Sequence, residues 1–187
     1  MCIFKHFLMV SAAAGLLAVA SLPASAEMAN AALKDRSGKA VGDVDLQQAA
    51  NGVLLKLSIK GLPPGERAFH IHAVGKCDAP FDSAGPHFNP GGHKHGALSG
   101  PGHAGDMPNL HVPQSGELTI EVLNTAVTLE KGKPNSLFDG DGSSIVIHDK
   151  ADDYKTDPTG NAGDRLACGV IQPSGAPAPT VGGPPKN

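Results

Sequence analysis

Ala-Val-Gly-Asp-Val-Asp-Leu-Gln-Gln-Ala-Ala-Asn-Gly-Val-Leu-Leu-Lys-Leu-Ser-Ile-Lys, residues 40–60, sets the fold class. Apolar and polar residues alternate from Val41 to Leu46, the period of a half-buried strand. Val41, Asp43 and Asp45 then share one side. Gly42, Val44 and Leu46 share the other, which is the expected core face. Asn51-Gly52 is a hairpin signal, and Val53–Lys60 reads as the returning strand. Gly61-Leu-Pro-Pro-Gly65 ends it.

The same rhythm extends outward. Strand-like alternation begins at Ala31 and recurs at 68–74, 117–123, 144–148 and 166–171. Outside the N-terminal leader no window carries a helical period. Many short strands punctuated by 24 glycines and 16 prolines predict an all-β sandwich or barrel. Aromatic residues make up 4 % and tryptophan is absent, so the core must be built from Val, Ile, Leu and Ala.

The ends read differently. Lys5, the apolar run from Phe7 to Leu22 and Ala24-Ser25-Ala26 form the pattern of a cleaved signal peptide over residues 1–26. The run is short for a membrane anchor, so no stable membrane insertion is expected after cleavage. Removing Lys5 and no acid takes the net charge from −3 to −4, which speaks against a nucleic-acid partner. Residues 173–187 are Pro, Gly and Ala with little else and are expected to be disordered, leaving a domain over 27–172. Of three cysteines, Cys2 leaves with the leader. Cys77 and Cys168 remain, and in an exported chain a disulfide is their simplest state.

Two stretches break the strand rhythm, Gly75 to Pro113 and Asp149 to Asp164. A long irregular loop in a compact domain is usually functional, and this one holds most of the histidines. His70 and His72 stand at i and i+2, on one face of a strand, with Phe69 and Ile71 on the other. His148 ends Ile-Val-Ile-His and offers a third ring from a distant strand. His87, His95, His103 and Asp106, at spacings of eight, eight and three, match a closed tetrahedral zinc shell. His93 rivals His95, and His111 is a spare. Asp152 or Asp153 could take the outer N–H of a metal-bound ring.

Taken together these segments resemble copper,zinc superoxide dismutases. The resemblance rests on Phe-His-Ile-His at 69–72, Gly-Pro-His-Phe-Asn-Pro at 85–90, Lys-His-Gly at 94–96 and Gly-His-Ala-Gly-Asp at 102–106. It continues with Ile-His-Asp-Lys-Ala-Asp-Asp at 147–153 and Gly-Asn-Ala-Gly-Asp-Arg-Leu-Ala-Cys-Gly-Val at 160–170. It implies an eight-stranded Greek-key β-barrel of the immunoglobulin-like kind. It implies copper on His70, His72, His87 and His148, and zinc on His87, His95, His103 and Asp106, with His87 shared. It further implies Asp152 as the carboxylate linking His70 to His95, Arg165 beside the copper, and a Cys77–Cys168 disulfide. The implied activity is conversion of two superoxide anions and two protons to dioxygen and hydrogen peroxide. Asp-Asp-Tyr-Lys-Thr-Asp-Pro, at 152–158, departs from the animal enzymes and looks like the bacterial branch. That branch implies the periplasm; the dimer contact differs between branches, so the resemblance leaves monomer and homodimer both open. Lys150 and Lys155 are candidates for steering the substrate anion.

Overall fold

A computed structural model describes residues 27–174. The proposed signal peptide and all but the first two residues of the proposed tail lie outside them. Ten strands carry the described residues: β1 Met28–Asp35, β2 Ala40–Ala49, β3 Gly52–Lys60, β4 Gly65–Arg67, β5 Phe69–His72, β6 Leu110–Val112, β7 Glu117–Asn124, β8 Ser144–His148, β9 Arg165–Val170 and β10 Gln172–Pro173. The one helical element among them is a three-residue 3-10 turn, Asp82–Ala84.

The strands form a curled sheet in the order β5-β8-β9-β1-β2-β3-β7, with β10 added on β1, and a separate β4-β6 pair. Every named pairing is antiparallel. The β4-β6 pair stands at the seam between the sheet's end strands, because β4 runs into β5 through Ala68 and β6 packs on β7. The all-β barrel-like architecture is thus the expected one.

Alternation explains the core. Val44, Leu46, Val53, Leu55, Leu57, Ile59, Ile145 and Ile147 are all buried, together with Phe69, Ile71 and Leu110. As the composition requires, branched aliphatic residues dominate. Burying one such side chain contributes roughly 1.5–3 kcal/mol. Val41 departs from the expected face and is only 2 % exposed. The register jumps there, with Leu33 opposite Gly42 but Lys34 opposite Ala40, so Val41 is the extra residue of a bulge and turns inward. Gly42 permits this with φ +150, where a Cβ would strike the Ser58 carbonyl.

Three strands had weak signals, and a fourth is shorter than the sequence expectation. β4 and β6 are three residues each and lie within Pro/Gly-rich stretches. β10 pairs Pro173 with Ala29, and the Ser174 N–H reaches the Met28 carbonyl, which carries the ordered domain past the boundary expected at 172. Expected strand 68–74 shrinks to Phe69–His72, since Ala73 and Val74 bond the long loop at Pro86 and Ala84 instead.

The Cys77–Cys168 disulfide spans 91 residues, with Cα atoms 5.6 Å apart. It ties the start of the long loop to β9, and Phe81, Ala84 and Val146 pack around it. Replacing both cysteines by serine is expected to lower unfolding free energy by about 4–5 kcal/mol in the chain-entropy account. Denaturant midpoints measure this, and a loss below about 1 kcal/mol would show that packing alone holds the loop.

Candidate metal centre

β5 presents its two histidines away from the barrel core. Phe69 and Ile71 enter the core, while all four residues of the strand are buried. The covering layer is the long loop. Ile71 N–H donates to the Gly105 carbonyl at 2.9 Å, Gly105 N–H to Phe88 at 2.8 Å and Phe88 N–H back to Ile71 at 2.8 Å. These bonds lay the loop on the strand and set Asp106 opposite His70 and His87 opposite His72. His148 arrives from β8, two strands' width away in sequence but hydrogen-bonded to β5 by the sheet.

Two clusters result. The side chains of His70, His72, His87 and His148 bring one ligand-capable atom each to within 4.8 Å of one another, and so do those of His87, His95, His103 and Asp106. His87 belongs to both. Of the rivals left open by spacing, His95 joins the cluster and His93 is exposed outside it. His111 is exposed and faces Glu66.

The outer hydrogen bonds decide which nitrogen of each ring faces inward. His70 Nε2 donates to Asp152 Oδ2 at 2.8 Å, leaving Nδ1 without a partner. His72 Nδ1 donates to the Gly85 carbonyl at 2.8 Å, leaving Nε2 inward. His148 Nδ1 faces the Gly163 carbonyl at 3.4 Å, and its Nε2 lies 3.4 Å from that of His72. His95 Nε2 donates to Asp152 Oδ1 at 2.9 Å, again leaving a buried Nδ1 with no hydrogen bond. His87 Nε2 is the third such orphan, while its Nδ1 lies 2.9 Å from Asp106 Oδ1 and 3.3 Å from His103 Nδ1.

Buried ring nitrogens without partners are costly. Here they converge, with lone pairs aimed at common points. Burial, opposed by the hydrogen bond to Asp152, pushes His70 down to about 4, and burial followed by the His70 ring pushes His148 to about 3. Burial also depresses His72 strongly and His103. Those four rings are therefore neutral at pH 7, the form that ligates a cation. At Asp106 burial pushes upward, but hydrogen bonds from the His87 ring and from the His103 and Gly96 N–H groups prevail, and the carboxyl stays ionised. Four imidazoles suit copper, while three imidazoles and a carboxylate suit zinc. The residues fit both ions.

The profile of the copper/zinc superoxide dismutase family (SODC) matches residues 40–171. The chain belongs to the copper/zinc superoxide dismutase family. It is 53 % identical over 146 residues to superoxide dismutase [Cu-Zn] 1 of Aquifex aeolicus, covering 76 % of this chain and 86 % of that one. It is 45 % identical over 149 residues to the superoxide dismutase [Cu-Zn] of Caulobacter vibrioides, covering 77 % and 85 %. Among solved structures, a SOD-like protein from Bacillus subtilis superposes with a TM-score of 0.74 at 38 % identity, covering 76 % of this chain and 97 % of that one.

In this superoxide dismutase-family chain, Asp152 is 4 % exposed and joins a ring of one cluster to a ring of the other. Its neighbour Asp153 is exposed and is occupied by Thr156 and Asn161. Arg165 pairs with His148 across β8 and β9. Its guanidinium donates to the carbonyls of Phe81 at 2.6 Å and Gly85 at 2.7 Å, so the disulfide-tethered turn holds it. Gly85 thereby positions both Arg165 and His72.

Several supporting residues escaped sequence reading because their contribution is a backbone or an amide contact. Asp157 Oδ1 accepts the His95 N–H at 2.7 Å. Asn124 donates to the Ala104 carbonyl at 2.8 Å and holds the loop beside His103. Gly160, at φ +64, lies over the Asp152–His95 bond, and a Cβ there would overlap Asp152 Oδ1. Gly160→Ala is therefore expected to weaken zinc retention by about tenfold or more, the usual cost of disturbing an outer-shell partner. Competition with a chelator measures it. Unchanged retention would mean that the loop moves aside without disturbing Asp152.

Proposed function

We propose that this chain dismutates superoxide, with copper on His70, His72, His87 and His148 and zinc on His87, His95, His103 and Asp106. The observation carrying this reading is the His87 ring, whose Nε2 faces one cluster and whose Nδ1 faces the other. Copper would supply one-electron redox chemistry, and zinc would supply fixed charge without redox chemistry.

The chain's own residues account for the rest of 2 superoxide + 2 protons giving dioxygen and hydrogen peroxide. Arg165 presents a half-buried cation beside His72 and His148. Burial draws the guanidinium below its usual range, with Asp82 opposing, but it remains charged. The small substrate is an anion, and the chain's net charge of −3 repels it. Local positive charge must therefore draw it in, a form of steering for which superoxide dismutases are a known example. Lys150 and Lys155 are exposed on the loop after His148 and are candidates to add to that field. His87 Nε2 is the atom that can take up and return a proton, since its Nδ1 faces the zinc-side cluster. Asp152 holds the N–H of His70 and of His95, so both rings keep their inward lone pairs throughout.

The leader pattern at 1–26 supports export to the periplasm, leaving a catalytic domain from 27 and a short tail. The disulfide supports the same reading, because such bonds persist in oxidising compartments. The reading is compatible with a monomer or a homodimer, and light scattering of purified protein distinguishes them.

Arg165→Ala is expected to retain both metals and to consume superoxide about tenfold more slowly, the cost of one charge-assisted hydrogen bond of about 1.5 kcal/mol. Its rate should also depend less on ionic strength than the wild-type rate. Copper and zinc are counted on the same samples. Full activity at low salt would remove Arg165 from the mechanism, and purified wild-type protein that held both metals but consumed no superoxide would refute the proposed function.

A further inference from the structure

Asp152 joins the two clusters, yet a carboxylate on a loop cannot hold two rings unless the loop itself is fixed. The Asn109 side chain does this from both sides. Its Oδ1 accepts the Asp152 N–H at 2.8 Å, and its Nδ2 donates to the Asp152 carbonyl at 2.9 Å. Asn109 is fixed in turn, because its own N–H donates to the Tyr154 hydroxyl at 2.7 Å. Tyr154 closes the circuit by donating its N–H to Asp152 Oδ1 at 2.6 Å.

Tyr154 also meets the zinc-side loop. Its carbonyl accepts the Leu98 N–H at 3.2 Å and lies where a Cβ on Gly96 would stand, directly after His95. Its backbone sits at φ +61, a conformation that a bulky residue adopts only under constraint from its surroundings. Asn109 follows Asp106 by three residues. One closed ring of hydrogen bonds thus ties the segment bearing Asp106, the carboxylate of Asp152 and the segment bearing His95. All three members are partly or fully buried.

We propose that Tyr154 and Asn109 are positioning residues for the zinc-side cluster, the tyrosine hydroxyl locking Asn109 and Asn109 locking Asp152. This rests on the metal assignment above. The hydroxyl bonds to Asn109 and acts through two intermediaries, so its removal should loosen zinc without deleting any zinc ligand. Tyr154→Phe keeps the aromatic ring and the backbone and removes only the acceptor for Asn109.

The test is zinc competition with a chelator of known affinity on the metal-free full chain, for wild type, Tyr154→Phe, Asn109→Ala and the double variant. Visible absorption of cobalt(II) in the same site and the thermal midpoint of each metal-free protein are measured alongside. Expected are zinc dissociation constants raised about tenfold in Tyr154→Phe and at least as much in Asn109→Ala. The double variant should be no weaker than Asn109→Ala alone, since the two act in series. Cobalt absorption should shift in Tyr154→Phe while its metal-free midpoint stays near wild type. Zinc affinity and cobalt absorption unchanged in Tyr154→Phe would overturn the clamp alone. So would a loss confined to the metal-free midpoint, or fully additive losses in the double variant. Wild-type chain that takes up no zinc would overturn the metal assignment, and the clamp with it.

Discussion

Buried imidazoles facing one another with free lone pairs are the constraint on which the structure depends. Apolar burial would be cheaper, and hydrogen bonds among the rings would be safer. Instead the outer nitrogens of His70, His72 and His95 are spent on carboxylate and carbonyl oxygens, and the inner ones of His70 and His95 are left without a hydrogen-bond partner. An arrangement of this kind is unfavourable as bare protein and favourable around cations. His87 concentrates the problem, because both of its nitrogens face inward, toward different clusters.

The long loop illustrates how such a site is held without a core of its own. Few of its side chains are apolar, and the packing of Phe81, Ala84, Phe88 and Met107 reaches only part of it. Three other devices hold the rest. Backbone bonds through Phe88 and Gly105 lay it on β5. The disulfide fixes its beginning near β9. Asp152 and Asp157, reaching from the loop after β8, fasten His95 from its ring and its backbone. Each device also aims a group of the site, so the order of the loop and the geometry of the centre are one property.

Much of this was legible in the sequence, for identifiable reasons. Period-two alternation marked β2, β3, β7, β8 and β9, because each buries one face against a common core. The i, i+2 pair at His70 and His72 could be read for the same reason. Spacing alone left His93 against His95 and Asp152 against Asp153, since adjacent polar residues in a loop have no period to sort them. The family motif favoured His95 and Asp152; the fold brings these two into the buried groups and leaves His93 and Asp153 exposed. The β4-β6 pair was hidden in Pro/Gly-rich text, and Val41 was misplaced because a bulge breaks the alternation that defines its face. Asn109 and Tyr154 carried no signal, because they bind backbone atoms of residues distant in the chain.

Anomalous diffraction at the copper and zinc absorption edges, from crystals of the metal-loaded protein, tests the central claim most directly. The account predicts two separate peaks on opposite sides of the His87 ring, copper toward Nε2 and zinc toward Nδ1. Both ions on one side of that ring, or either ion away from it, would contradict the account.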